Sequence, residues 1–151
     1  MYQNIMLALD GSKVSDSLVD EVIKLTKDQS PKLRIIHVID ESGIRYGGPS
    51  FDYLSIIAAW KKDGEKILAN AAKKIAKQSS IKPETFILEL KPFQGRVAEV
   101  IVDAAKEWPA DLLMIGTHGR RGFSRLFLGS VAENVVRIAT TPVLLVRSPD
   151  A

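Results

Sequence analysis

The sequence contains no cysteine, which removes disulfides, thiolate nucleophiles and cysteine-built zinc or iron–sulfur centres in one step. That absence fits a reducing compartment without proving one. Histidine occurs only twice, and two histidines without cysteine make a poor zinc site. No apolar run approaches the roughly 20 residues needed to span a bilayer. The opening Met1-Tyr2-Gln3-Asn4 leads straight into an apolar run with no positively charged leader, so no signal peptide is visible. A soluble cytoplasmic protein with no membrane partner is therefore expected. Several chemical signatures are also missing. There is no G-x-x-x-x-G-K-[ST] for a P-loop and no G-x-S-x-G for a serine hydrolase. The G-x-G-x-x-G of a dinucleotide site is absent too, since only Gly11 stands after the first apolar run. A phosphoacceptor receiver would want a second acid beside Asp10, an aspartate after the third strand and a lysine after the fifth. Lys91 and Arg147 stand at the last two places. The charge excess is small, at +3, which permits an anionic ligand but does not point to nucleic acid.

What is present is a repeated alternation. Ile5 to Leu9 is a short continuous apolar run of the kind buried on both faces of a sheet, and it ends at the turn cluster Asp10-Gly11-Ser12. Val14, Leu18, Val22 and Leu25 recur at helical spacing. Leu33 to Ile39 reads as a second strand. Residues 40–53, with Gly43, Gly47, Gly48 and Pro49, read as a mobile connection. A long helix follows around Ile67, Leu68, Ala71, Ala72 and Ile75, then a strand from Thr85 to Leu90. A third helix carries Val97, Val100, Ile101, Ala104 and Ala105, and a fourth strand is Leu112 to Ile115. The last helix carries Val131, Ala132, Val135, Val136 and Ala139, and the last strand is Val143 to Val146. Strand and helix in strict alternation imply right-handed crossovers. The fold class is therefore α/β, an open five-stranded parallel sheet with helices on both faces, Rossmann-like in kind. No linker divides the 151 residues, and one domain over 1–151 is expected. Open sheets of this type bind ligands beyond the carboxyl ends of their strands. Function is thus expected in the loops after Leu9, Val38, Leu90 and Ile115.

The last of these loops is the most informative. From Gly116 it reads Gly116-Thr117-His118-Gly119-Arg120-Arg121-Gly122-Phe123-Ser124-Arg125-Leu126-Phe127-Leu128-Gly129-Ser130. Glycines let a backbone approach a ligand closely. The helix opening at Ser130 would aim N–H groups and a positive dipole end at the crevice. Together they suit a phosphate, and Arg120, Arg121 and Arg125 add positive charge without an acid among them. The plainer alternative is a flexible loop, with Ser130-x-x-Glu133 as a capping box. Spacing alone leaves both open.

Gly116-x-x-Gly119, nine residues, then Gly129-Ser130 resembles the nucleotide signature of the universal stress protein family. The resemblance extends to the opening strand into Asp10-Gly11-Ser12 and to the closing Thr141-Pro142-Val143-Leu144-Leu145-Val146. It implies an adenine nucleotide alpha hydrolase-like fold in which strand four lies beside strand one. Keeping the whole glycine signature, the chain resembles the ATP-binding branch. That branch implies Asp10 beside the ribose and the backbone at Val38 on the adenine edge. It places Gly116, His118, Gly119, Gly129, Ser130 and Val131 around ribose and phosphates, with Ala8, Ile115 and Arg120 completing the set. The resemblance also implies ATP, or AMP or ADP, as ligand, Mg2+ accompanying the triphosphate, and a homodimer through the last strand, Val143 to Val146. Pro142 at the start of that strand is compatible with a sheet edge.

Each of these residues has a plainer role open to it. Asp10 could be a turn residue, His118 an exposed loop histidine, and Val38 is a core residue in either case. His37, inside an apolar strand, reads as a structural residue rather than a ligand. The lysines from Lys61 to Lys77 read as a solvated helix face. Tyr46, Phe51 and Tyr53 suit either a lid over the base or a disordered connection. Three functions follow: a nucleotide-dependent stress or regulatory protein, a slow ATPase or phosphotransferase, or a dimeric interaction protein with a vestigial site. For the second, Asp10 and His118 are the only bases in reach of the cradle, and no dedicated catalytic constellation is found.

Overall fold

The computed structural model describes residues 1–44, 52–118 and 128–148. Its strands and helices alternate as β1 (Asn4–Ala8), α1 (Lys13–Leu25), β2 (Lys32–Asp40), α2 (Tyr53–Gln78), β3 (Glu84–Leu90), α3 (Val97–Glu107), β4 (Leu112–Gly116), α4 (Ser130–Ile138) and β5 (Val143–Val146). All strand pairings are parallel, in the order β3-β2-β1-β4-β5. The expected fold class and the placement of β4 beside β1 are both observed.

The continuous apolar character of β1 has a direct cause. Side chains alternate across a sheet, and here each face is covered by helices. Ile5 and Leu7 enter one core with Leu18, Val22, Leu68 and Ile75 of α1 and α2. Met6 enters the other with Ala98, Ile101 and Val102 of α3 and with Ala132 and Val135 of α4. Met6, Leu7, Leu113 and Met114 are fully buried, so β1 and β4 form the centre of the molecule. Its amino end is fixed by Asp111, whose carboxylate accepts from the N–H of Gln3 at 2.8 Å and of Asn4 at 2.9 Å. On β2, Arg34 lies between the rings of Phe86 and Trp108, 4.4 and 4.7 Å from their centroids, and pairs with Glu84 at 2.8 Å. Charged residues thus close the bottom of the sheet, leaving its carboxyl end for other uses.

The chain runs outward from β1 through β2 to β3, then returns past β1 to β4 and β5. The helices that follow β1 and β4 pack on opposite faces, α1 on one and α4 on the other. In sheets of this kind the carboxyl ends of the two strands at such a reversal point are where a crevice is expected. Ala8 and Ile115 stand level with each other at its floor.

Two expectations about elements need correction. The connection read as residues 40–53 is shorter, because β2 continues to Asp40 and α2 begins at Tyr53. Asp52 caps that helix by accepting from Ser55 N–H at 3.1 Å, so Tyr53 is a helical residue and its hydroxyl donates to buried Glu41. It is neither a free lid nor part of a disordered connection. The capping box at Ser130-x-x-Glu133 also does not form. Gly129 is the N-cap, Ser130 is the first helical residue, and Glu133 pairs forward with Arg137 at 2.9 Å. Among the described residues no helix is long and apolar enough to cross a membrane.

Candidate functional site

The turn after β1 is tied by one serine and one aspartate. Ser15 Oγ, on the first turn of α1, accepts from the N–H groups of Asp10 at 3.2 Å and Gly11 at 3.1 Å. It donates in turn to Asp10 Oδ1 at 3.1 Å, and that oxygen also accepts from Ser12 N–H at 2.9 Å. Gly11 sits at φ +81°, a left-handed conformation that glycine adopts without steric cost. Asp10 is therefore a turn residue, as its plainer reading held. It also lines a cavity of about 230 Å³ together with His37, Val38, Ile39, Asp40, Trp60 and Asp63.

This cavity lies between the carboxyl ends of β1 and β2, with α2 as its outer wall. The wall stands close because of a glycine. A Cβ at Gly64 would lie 2.7 Å from His37 Cδ2, so only glycine lets α2 pack this tightly on β2. Glycine inside a helix costs about 1 kcal/mol relative to alanine, so the close approach offsets a local penalty. His37 is fixed from the other side through Nδ1, 2.8 Å from the carbonyl oxygen of Leu9. The structural role expected of His37 is present, and the cavity adds a second exposure for its ring. Three carboxylates and no lysine or arginine are among the lining residues. A phosphate would be repelled there, whereas a base or sugar would not.

The glycine loop forms a second group of residues. Gly116 ends β4, and a Cβ on it would lie 2.3 Å from Val14 Cγ1. Its smallness is thus already required by the packing of α1, apart from any ligand. Thr117 is buried; its N–H donates to Val146 at 3.0 Å and its carbonyl accepts from Gly129 N–H at 2.7 Å. That last bond brings the start of α4 back against the end of β4. It also occupies the Gly129 N–H, so the donors left to α4 for an anion begin at Ser130 and Val131, whose N–H groups have no partner within the helix. Thr117 Oγ1 lies 3.1 Å from His118 Nδ1, which holds the half-buried His118 ring beside the crevice. Ser130 and Val131 are both exposed.

The expected site residues accordingly fall into two clusters. Asp10 and Val38 meet in the cavity, while Gly116, His118, Gly129, Ser130 and Val131 gather at the β4–α4 junction, with Ala8 and Ile115 between. Gly119 and Arg120 lie outside the described residues, as do Arg121, Arg125, Tyr46 and Phe51. Sequence reasoning missed Trp60 and Asp63. Their only signal is the i, i+3, i+4 spacing that puts Trp60, Asp63 and Gly64 on one helix face.

An open parallel α/β sheet whose strand order reverses between β1 and β4, with an acidic pocket on one side and a helix N-terminus on the other, is a doubly wound α/β fold. The chain belongs to the universal stress protein family, whose model matches residues 1–147. It is 34% identical to universal stress protein MJ0531 of Methanocaldococcus jannaschii, over 99% of this chain and 84% of that protein. It is also 34% identical to universal stress protein YxiE of Bacillus subtilis, over 97% of this chain and the full length of that one. Among solved structures, it is similar to protein MJ0577 of M. jannaschii, with a TM-score of 0.83, 24% identity, and coverage of 100% of this chain and 99% of that one. A universal stress protein in complex with cAMP matches with a TM-score of 0.64 and 24% identity, over 97% of this chain and 98% of that one. One from Archaeoglobus fulgidus in complex with dAMP matches with a TM-score of 0.64 and 23% identity, over 96% and 98%.

Proposed function

We propose that this protein binds an adenine nucleotide across the crevice between β1 and β4 and that nucleotide occupancy biases its conformation or its choice of partner in a stress response. The observation that carries this reading is the electrostatic polarity of the crevice. Carboxylates of Asp10, Asp40 and Asp63 rim the cavity at the β2 side, and the N-terminus of α4 lies at the β4 side. A ligand neutral at one end and anionic at the other fits that order. In this reading Asp10 meets the ribose, the backbone at Val38 meets the base edge, and Ala8 and Ile115 form the floor. Gly116, His118, Gly119, Arg120, Gly129, Ser130 and Val131 surround the sugar and phosphates. Relatives of the same fold that hold cAMP and dAMP support an adenine ligand.

Among the described residues no cluster of His, Asp or Glu could hold a metal by itself. In this reading Mg2+ accompanies the triphosphate, bound by phosphate oxygens and water as is usual for this ion. We assign the 151 residues to one domain in the cytoplasm. They would pair as a homodimer through β5, an edge strand whose apolar residues Val143, Leu144 and Leu145 are half-buried.

The test is Gly129→Val. Gly129 has φ −62° and ψ 157°, which a branched residue adopts without backbone strain, and circular dichroism checks that the variant is folded. Its side chain fills the phosphate position. Calorimetry is expected to show ATP affinity falling at least about a hundredfold, since an overlapping branched chain excludes the anion. Unchanged affinity in a folded Gly129→Val protein removes the phosphate assignment.

A further inference from the structure

With 26 residues, α2 is the longest of the described helices, and its two sides differ sharply in chemistry. Ile57, Gly64, Leu68, Ala71 and Ile75 form its buried side, against the sheet. Directly opposite stand Lys62, Lys66, Lys73 and Lys77, all exposed. They recur at intervals of four, seven and four residues. That spacing keeps them within about 60° of one another around the axis and spreads them over about 22 Å. Lys61 and Lys74 of the same helix are bound to Glu89 and Asp20, at 2.5 and 2.6 Å. None of the other four pairs with an acid among the described residues. This face has a local cost. Lys62 with Lys66, and Lys73 with Lys77, are like charges one turn apart, which destabilises a helix where a glutamate would stabilise it. From Lys66 to Gln78 the helix has no acid. The helix dipole favours Lys77 in the last turn but not the lysines further back.

We propose that this outer ridge of α2 docks an acidic helix of a partner protein, one whose carboxylates repeat at the same four-seven-four spacing. The ridge is narrow, with exposed Asp63 along one side and exposed Glu65 along the other. A membrane or a nucleic-acid duplex is broad and would bring its own negative charge onto those carboxylates. A single nucleic-acid strand is held largely by stacking on aromatic side chains, and the ridge carries none. A slim helix with glutamates one turn apart meets the lysines and clears the flanking acids. None of the four lysines lines the cavity, so this surface stands apart from the nucleotide site.

The probe is a fluorescein-labelled, alanine-based helical peptide with glutamates at the four-seven-four spacing. Its control has the same composition with the glutamates spread around the helix. In fluorescence anisotropy at about 50 mM salt, the matched peptide is expected to bind at least about fivefold tighter than the control. At about 300 mM salt the binding should be lost. In a Lys66→Glu/Lys73→Glu variant, affinity for the matched peptide should fall at least about tenfold. That variant turns two like-charge pairs into attractive ones, so its melting temperature should not fall, which separates docking from folding. Poly-uridylate RNA and phosphatidylserine vesicles are measured in parallel. If the double variant loses binding to either of these while the matched peptide binds neither protein, the ridge serves another polyanion and the acidic helix is overturned. Equal binding of the two peptides, or unchanged affinity in the folded double variant, overturns it as well.

Discussion

Gly116 shows how one residue can answer to two demands. The function proposed above sets it beside the nucleotide, while the space beside its Cα is filled by Val14 of α1 at 2.3 Å from where a Cβ would lie. Val14 is buried and β-branched, so it cannot swing aside. Gly116→Ala is therefore expected to cost about 1–3 kcal/mol through overpacking. The cost should shrink clearly in a Val14→Ala background, because the clashing methyl is gone. Urea unfolding of the two single variants and the double variant checks this. An equal cost in both backgrounds would show that the glycine is needed for some other reason. Asp10 follows the same pattern. Its oxygen closes the β1 turn through Ser12 and Ser15 while the residue faces the cavity, so the turn role and the ribose role need not compete.

Among the elements, α2 forms the outer wall of the cavity, and it is held against the sheet there at two positions within one turn. Gly64 lets it approach His37, and Lys61 reaches Glu89 of β3 at 2.5 Å. The hydrogen bond from Lys61 holds the Glu89 carboxyl below its ordinary value of 4.5, and the same bond raises Lys61 above 10.5. For Glu89, whose folded value is depressed, the stabilising contribution is present above pH 4.5 and is lost as the pH falls through that depressed value. For Lys61, whose folded value is raised, it is present below pH 10.5 and is lost as the pH rises through the raised value. Glu89→Gln should therefore melt lower than the wild type near pH 7, and the gap should close in acid. Both groups are partly exposed, so added salt narrows the gap as well. A gap that stays constant from pH 7 to pH 3 would contradict the pairing.

Much of this architecture is legible in the sequence because β1 and β4 are apolar on both faces and the helices between them keep a 3.6-residue period. The start of α2 was less legible. Its first turn, Tyr53-Leu54-Ser55-Ile56, follows a glycine-rich run, and the deciding signal is Asp52 accepting from Ser55 N–H, a local bond that hydrophobic periodicity does not register. Ser130 misled for the opposite reason. Ser-x-x-Glu is a good capping pattern, but the bond from Gly129 N–H to Thr117 draws the chain in one residue earlier and makes Gly129 the cap. Of the cavity lining, Asp10 and Val38 stand at the strand ends where a ligand was expected. Trp60 and Asp63 were not legible, because an isolated helix face does not reveal which strand end it will overhang.

At the scale of the whole molecule, the central pair β1 and β4 is buried between two helical layers, and the strand order reverses between them. A ligand bound there contacts both layers and bears on the stability of the entire chain. A ligand that binds only the folded protein adds about 2.7 kcal/mol when present at a hundred times its dissociation constant. The measurement that bears most directly on the account is a calorimetric titration of the wild-type protein with ATP and magnesium, paired with its melting temperature at millimolar ATP. The account predicts saturable heat with one nucleotide per chain and a melting point several degrees higher. Neither heat nor a shift would contradict it.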